Sequence, residues 1–212
     1  MVALKRSSTP RELAETNRCF KRAILGMNKE EAYYFYDNNK GRYQYNTKET
    51  KKIFKNMTHE RCSFCTQNIN NFDTEMTVEH IRTKKDYPDK IFQWTNLLCS
   101  CRTCNNKRGI SPYDKDKYLD PTKNVDIEDF FDYNIDGEIL PNSKLTKEQQ
   151  DKAGYMIKKY GLDRKDLNNK RKKFLDDLIH EEGVYEFLKK QQLSSQYIIF
   201  LSVFAYYRRC IE

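Results

Sequence analysis

The stretch Leu97–Lys107, LLCSCRTCNNK, carries three cysteines within six residues and ends in two asparagines and a lysine. A tetrahedral metal site takes cysteines at Cys-x-x-Cys spacing, and within this stretch only Cys101 and Cys104 have it. A second pair with that spacing, Cys62 and Cys65, lies upstream in RCSFC. The two pairs predict a closed shell of four thiolates around a structural zinc ion, with no coordination position left for a substrate.

The three remaining cysteines have no partner at ligand spacing. Cys99 lies two residues before Cys101, and we expect it to pack as a small apolar side chain on a strand. The same is expected of Cys19 and Cys210. Seven cysteines and an N-terminal stretch without an apolar signal sequence indicate a reducing compartment, where clustered thiols bind metal. We therefore expect a cytoplasmic protein.

The composition is that of a basic folded protein. Among 212 residues, 39 are Lys or Arg and 31 are Asp or Glu, which gives a net charge of +8, and 13% are aromatic. This aromatic content is too high for a disordered chain, and the basic surface suits nucleic acid or an anionic membrane. The most apolar run, residues 197–207, is too short to cross a bilayer, so we expect no membrane partner.

The positive charge is concentrated in one segment. Between His80 and Gly109, seven basic residues stand against two acidic ones, a net charge of +5. Neutralisation of phosphates supplies most non-specific affinity for nucleic acid, so this segment predicts binding to the backbone of DNA with little sequence code. The basic residues expected to contact the nucleic acid are Arg82, Lys84, Lys85, Lys107 and Arg108.

The chain divides into three regions of an α+β protein. Residues 1–55 alternate charged and aromatic segments and predict one or two helices with a polar turn at 38–41. Residues 56–142 contain short β-branched pieces and loops. Residues 143–212 have a helical pattern.

Capping residues set the expected bounds of the C-terminal helices. Thr146 is predicted to cap a helix that ends at Gly161, and Asp163 a second helix that ends at Gly183. A third helix is predicted over about 185–209.

The segment between the two cysteine pairs contains polar residues suited to catalysis. TVEHIR places Glu79 beside His80, QWTNLL contains Asn96, and CNNKRG contains Asn105. An imidazole takes up a proton near neutral pH, as a general base that activates water must. Carboxylate and amide oxygens are ligands that suit Mg²⁺ or Mn²⁺. His80 is therefore a candidate general base, and Glu79 and Asn105 are candidate ligands of a hard divalent ion.

These residues resemble the signature of the HNH (ββα-metal) endonuclease family. Glu79-His80, Asn96 and Asn105 match its H, N and N/H positions, and the flanking cysteine pairs match its zinc-bearing branch. The resemblance implies two short strands and a helix around one catalytic divalent ion, with the zinc joining the helix to the hairpin. It also implies that Asn96 transfers no proton and fixes the loop that aims His80.

Three positions depart from the family pattern. Glu79 stands where most members have Asp, and its longer side chain reaches the ion directly or through water. Asn105 stands where many members have His, which favours magnesium-type ions over softer ones. The usual lysine after that position appears as Lys107-Arg108, and which of the two meets the phosphate is open.

A longer resemblance covers about residues 61–178. The run from Val78 to Gly109, the following YLDPT, IEDFF and DGEILP, and the helical AGYMIKKYGLDRKDLNNKR are similar to the nuclease subunit of Septu-type anti-phage defence systems, some of them carried alongside retrons. This similarity implies a DNA-cleaving effector with an ABC-type or SMC-like ATPase partner. A second copy of the chain is a further candidate partner.

Two alternatives to a defence nuclease remain open. The chain would serve either as a stand-alone restriction or nicking enzyme, or as a catalytically silent zinc-stapled module that binds nucleic acid or protein. Two roles are likewise possible for the apolar run 197–207: it packs against the preceding helices, or it docks onto the ATPase.

Overall fold

The computed structural model describes residues 1, 3–70, 75–109, 112–123 and 126–180. Over these residues the chain forms helices and short antiparallel strands, which confirms the predicted mixture of helix and sheet. The helices are α1 (Arg11–Ala23), α2 (Lys29–Asn38), α3 (Lys48–Met57), α4 (Arg102–Arg108), α5 (Lys147–Tyr160) and α6 (Lys165–His180). The strands are β1 (Met76–His80), β2 (Leu97–Cys101), β3 (Phe131–Tyr133) and β4 (Ile139–Pro141). Within the described part of the chain, no helix is long and apolar enough to cross a membrane.

Helices α1 to α3 form the N-terminal part of the molecule. The side chain of Asn28 accepts from the Glu31 amide and the Glu31 side chain accepts in return, a capping box that starts α2. The side chain of Thr47 caps α3 by accepting from the Thr50 amide. The sequence predicted one or two helices over residues 1–55, whereas the described part of this region has three, the last of which ends at Met57.

The prediction that Cys19 is buried is wrong. Helix α1 buries Leu13 and Phe20, which lie two turns apart on one face. Cys19 precedes Phe20 by one residue, a rotation of about 100° around the helix, so its thiol is exposed to solvent.

An aromatic cluster joins these helices to the segment between β1 and β2. The Phe20 ring lies 4.9 Å from Phe92 and 5.3 Å from Tyr43 between centroids, and it meets Tyr36 edge to face. Aromatic pairs in such tilted arrangements stabilise a core beyond the area they bury. The N-terminal helices therefore pack directly against the loop that follows β1.

The centre of the molecule is a hairpin with a helix across it. Strands β1 and β2 pair antiparallel, with Met76 opposite Cys101 and His80 opposite Leu97. All five residues of β2 are buried. Helix α4 begins directly after β2 and packs against both strands. In the described chain, a short helix thus follows the hairpin directly and lies against both of its strands.

The C-terminal part consists of the hairpin β3–β4 and helices α5 and α6. Thr146 and Gln149 form a capping box at the start of α5, and Gly161 ends it in the left-handed conformation, as predicted. The predicted cap at Asp163 is wrong, because α6 begins at Lys165 and its first turn bonds to the carbonyl of Arg164. The predicted helix end at Gly183, the helix over 185–209 and Cys210 lie outside the described residues.

A buried arginine ties α6 to the β3–β4 hairpin. Arg171 is buried, and its guanidinium donates to the carbonyls of Gly137 and Leu162. Gly137 has a φ of +75°, and a Cβ at this position would collide with the backbone of Asn168 and Lys172 in α6. The turn and the helix can approach this closely only because residue 137 is glycine.

Gly137→Ala should therefore destabilise the protein by about 2–5 kcal/mol, the sum of left-handed strain and overpacking. Urea unfolding measures this loss. Gly41→Ala is the matched control, because a Cβ at Gly41 meets nothing within 4 Å. Equal stability of the two variants would show that the contact between the turn and α6 is absent.

Candidate metal and catalytic site

Four cysteine sulfurs converge where the RCSFC stretch meets the junction of β2 and α4. The Sγ atoms of Cys62, Cys65, Cys101 and Cys104 all lie within 4.8 Å of one another, and all four residues are buried. Four sulfurs about 2.3 Å from a central zinc ion stand roughly 3.8 Å apart. The Cys65 and Cys101 sulfurs are 3.7 Å apart. The cluster therefore fits a structural metal ion such as zinc.

Tight turns aim these sulfurs inward. The Phe64 amide donates to Cys62 Sγ at 3.5 Å, and the Cys104 amide donates to Cys101 Sγ at 3.4 Å. Thr66, directly after Cys65, has a φ of +61°, which closes the first turn. Amides that point at sulfur stabilise thiolates, so each Cys-x-x-Cys turn is preorganised for metal.

Arg164 adds a positive charge to the cysteine cluster from the C-terminal part of the chain. Its Nη1 lies 3.8 Å from Cys104 Sγ and its Nη2 donates to Gln67 Oε1 at 3.1 Å. Four thiolates and one Zn²⁺ carry a net charge of about −2, which a buried guanidinium offsets in part. The sequence analysis missed Arg164, because it lies 60 residues from Cys104 and no local spacing marks it.

Cys99 lies outside the cysteine cluster. It is fully buried, and burial raises the pKa of its thiol to about 12. A neutral buried thiol packs as a small apolar group, which is the predicted behaviour.

His80 is the last residue of β1, and the structure holds its ring in one orientation. The ring is buried, and its Nε2 lies 3.0 Å from the carbonyl oxygen of Ile91. Because a carbonyl only accepts, Nε2 carries the proton and Nδ1 carries the lone pair. Burial, and then the positive charge of Lys84, lowers the pKa of His80 to about 3, so the imidazole is neutral at pH 7. The neutral imidazole with a fixed tautomer has a lone pair that can take a proton, but its pKa lies well below the near-neutral value that the sequence predicted for a general base.

Asn96 fixes the loop that follows His80. Its Oδ1 accepts from the Arg82 amide at 2.8 Å, and its Nδ2 donates to the carbonyls of Arg82 and Lys90. Its own backbone carbonyl accepts from the Ile81 amide. One buried amide side chain thus ties both ends of the loop together.

Glu79 points to the other face of β1, towards α4. Its Oε1 lies 2.7 Å from the Nε of Arg108, and both side chains are buried. The N–H of Arg108 Nε does not point at the Glu79 carboxylate, so neither Arg108 Nε nor Glu79 Oε1 makes an aligned hydrogen bond. Burial raises the pKa of Glu79 to about 7, against the opposing charges of Arg108 and Lys159. A second cation at this carboxylate would therefore be stabilising.

Asn105 reaches the same face of β1 from α4. Its Nδ2 donates to Thr77 Oγ1 at 3.1 Å, and Thr77 lies two residues before Glu79 on the strand. The amide nitrogen is used in this bond, so the carbonyl oxygen is the atom available as a ligand. The carboxylate of Glu79 and the amide of Asn105 are oxygen donors of the kind that suits a hard divalent ion.

The five basic residues predicted to contact nucleic acid occupy different environments. Arg82 lies over the Tyr87 and Tyr113 rings, and Lys84 lies between Tyr36 and Tyr45. Lys85 and Lys107 are exposed.

Arg108 was predicted to contact nucleic acid, but its guanidinium faces the interior of the protein. It donates to the carbonyls of His80 and Ile81 as well as approaching Glu79. Of the two residues Lys107 and Arg108, only Lys107 presents its side chain to solvent.

Tyr45 is a further residue that the sequence analysis missed. Its ring meets the His80 ring edge to face at 4.5 Å between centroids and 85° between planes. Tyr45 lies 35 residues before His80 in a segment that the family resemblance does not cover, so no motif marks it.

The chain matches no model of a known protein family. A stretch of 66 residues, 31% of the chain, is 35% identical to the Septu protein PtuB of Bacillus thuringiensis. The match spans 26% of that protein, so the chain covers about a quarter of its relative's length. This finding supports the similarity to Septu proteins that the sequence indicated.

Cys62→Ser or Cys104→Ser should release the metal and unfold the hairpin, because binding of a structural metal is coupled to folding. Elemental analysis should find one zinc ion per wild-type chain after a wash with mild chelator, and less than one tenth of that in either variant. Circular dichroism reports the loss of structure.

Cys99→Ser is the control, since Cys99 is equally buried but lies outside the cysteine cluster. It should keep its zinc. Loss of zinc from Cys99→Ser to the same extent would mean that the four ligands are assigned wrongly.

Proposed function

We propose that this chain is a metal-dependent HNH endonuclease that hydrolyses phosphodiester bonds of DNA. Its biological role is that of the effector nuclease in a Septu-like anti-phage complex with an ATPase partner. The observation that carries the proposal is the arrangement at the end of β1, where a neutral His80 with a fixed tautomer follows Glu79 on the strand. Asn105 on α4 supplies a second oxygen donor near that strand.

In this proposal His80 is the general base. Its Nδ1 accepts a proton from the water that attacks phosphorus, while the Nε2–H bond to Ile91 keeps the ring in place. Asn96 acts indirectly, because it fixes the loop that separates Arg82 from Lys90. A general base of this kind contributes about 10²–10⁴-fold in rate.

Glu79 and Asn105 would hold the catalytic ion, Mg²⁺ or Mn²⁺. The fit rests on two hard oxygen donors and on a buried carboxylate oxygen without an aligned hydrogen bond. When bound, the ion supplies positive charge that stabilises the negative charge growing on the leaving 3′ oxygen. The positive charge of Arg108, which lies against Glu79, opposes the rise that burial causes in the pKa of this carboxyl group.

DNA would be bound through its backbone phosphates. Arg82, Lys84 and Lys85 follow His80 directly in sequence, and Lys107 extends from α4 into solvent. These contacts carry no sequence code, so the choice of target must come from a partner. The similarity to a Septu protein supports a partner within a defence system. The resemblance seen in the sequence implies that this partner is an ATPase of the ABC or SMC-like type.

A catalytically silent binding module is the second candidate, and one observation favours it. The carboxylate of Glu79 already has a cation, the guanidinium of Arg108, at 2.7 Å. If that pair excludes divalent ions, the chain would bind nucleic acid without cleaving it. Plasmid cleavage with and without Mg²⁺ separates the two candidates.

The sequence also left open a stand-alone restriction or nicking enzyme. Such an enzyme would cleave at its full rate without the ATPase.

His80→Ala and His80→Asn should both lower the rate of plasmid cleavage by at least about 10²-fold, because the general base is lost. The rate is measured by gel electrophoresis with Mg²⁺ present. Melting temperature and zinc content should stay near the wild-type values in His80→Asn, which retains most of the side-chain volume.

His59→Ala is the control, because His59 is an exposed histidine outside the HNH resemblance, whereas His80 is buried. It should cleave at the wild-type rate. Cleavage by both His80 variants at the rate of His59→Ala would contradict the role of His80 as base.

Asn105→Ala should raise the Mg²⁺ concentration for half-maximal cleavage by about tenfold, since one of the two protein ligands is removed. A titration of cleavage rate against Mg²⁺ measures this shift. Asn106→Ala, an exposed neighbour on α4, should leave the titration unchanged. Superimposable titrations of the two variants would rule out Asn105 as a ligand.

A further inference from the structure

A contact between the N-terminal segment and the His80 ring stands outside the HNH resemblance. The segment after α2 returns to the hairpin, where Tyr43 and Tyr45 pack against Phe92 at 6.1 and 6.3 Å between centroids. Phe92 follows Ile91, the residue whose carbonyl accepts from His80. The N-terminal segment therefore lies beside the loop that orients the imidazole.

Tyr45 contacts His80 directly. The two rings are perpendicular at 4.5 Å between centroids, a T-shaped arrangement. The hydrogen bond to Ile91 fixes the position of one ring nitrogen, whereas the plane of the ring is fixed by the groups packed against it. An aromatic ring packed edge to face against the imidazole opposes rotation of this plane.

The same tyrosine also holds a lysine. Lys84 Nζ donates to the Tyr45 hydroxyl at 3.3 Å and lies 5.4 Å from the Tyr45 ring centroid. It also lies 5.6 Å from the Tyr36 ring. Two aromatic rings and one hydroxyl thus hold this ammonium group close to His80, whereas the neighbouring Lys85 is exposed.

We propose that Tyr45 is a positioning residue of the candidate nuclease site. Its ring fixes the orientation of the His80 imidazole, and its hydroxyl holds the Lys84 ammonium where it meets a phosphate of the substrate. The N-terminal helical segment is then part of the active site. This inference rests on the proposed nuclease function for its kinetic consequences, while the ring contact itself is testable without cleavage.

Two substitutions of Tyr45 separate its two roles. Tyr45→Phe keeps the ring and loses the hydroxyl, so KM for DNA should rise about five- to tenfold while kcat stays within twofold. Tyr45→Leu loses the ring as well, so kcat should also fall roughly two- to tenfold. If Tyr45 only stabilised the fold, loss of its hydroxyl would not raise KM alone, and loss of its ring would not lower kcat as well. An unchanged kcat in Tyr45→Leu overturns the positioning role.

A double variant tests the link between Tyr45 and Lys84. If the hydroxyl acts through the ammonium, Tyr45→Phe with Lys84→Met should raise KM no further than Lys84→Met alone. If the increases in KM of the two single variants multiply in the double variant, the two residues act independently, and the link is overturned. The exposed pair Tyr34→Phe with Lys52→Met is the control, and it should leave KM and kcat unchanged.

NMR of the imidazole signals tests the ring contact apart from catalysis. In Tyr45→Leu the carbon-bound proton signals of the His80 ring should shift, because the ring current of Tyr45 is lost, while Tyr45→Phe should leave them nearly in place. The His59 signals are the internal reference. Unshifted His80 signals in Tyr45→Leu overturn the inference. Shifted signals in a protein that does not cleave DNA would uphold the contact and contradict the proposed function instead.

Discussion

The four thiols at the junction of β2 and α4 constrain the rest of the site. Cys101 is the last residue of β2 and the cap of α4, and Cys104 lies in the first turn of that helix. Cys62 and Cys65 approach from a separate stretch more than 30 residues upstream. A metal ion bound by both pairs fixes where α4 begins, and α4 in turn carries Asn105 and Arg108 to the face of β1.

Burial then sets the chemical character of the two residues at the end of β1. His80 is neutral because desolvation disfavours the imidazolium, and Lys84 disfavours it further. Glu79 is buried beside the guanidinium of Arg108. Removal of one partner of a buried ion pair costs about 3–5 kcal/mol, so Arg108 is as much a part of this site as the residues of the motif.

The sequence predicted the features that depend on local spacing. The two Cys-x-x-Cys pairs, the cap at Thr146 and the left-handed Gly161 are each read from a few neighbouring residues, and the structure has them. The cap at Asp163 was misplaced by one residue, because the amides of the first turn of α6 donate to the carbonyl of Arg164.

Contacts between distant segments could not be predicted. Arg164 at the cysteine cluster and Tyr45 at His80 come from parts of the chain that share no motif with the residues they touch. Cys19 was expected inside because cysteine is often buried, but its position on α1 relative to Phe20 places it outside. The roles of Glu79, His80, Asn96 and Asn105 in catalysis stay predictions.

We propose that one hairpin and helix carry two metal functions, a closed zinc site that maintains structure and an open ion site that supports cleavage. Zinc content and DNA cleavage measured on the same sample distinguish the two sites, first after a mild chelator removes weakly bound ions and again after Mg²⁺ is added back. We expect zinc to stay at one ion per chain throughout, while cleavage disappears and then returns with Mg²⁺ alone. Cleavage that persists in the chelator while zinc is retained, or that returns only when zinc is resupplied, would contradict this proposal.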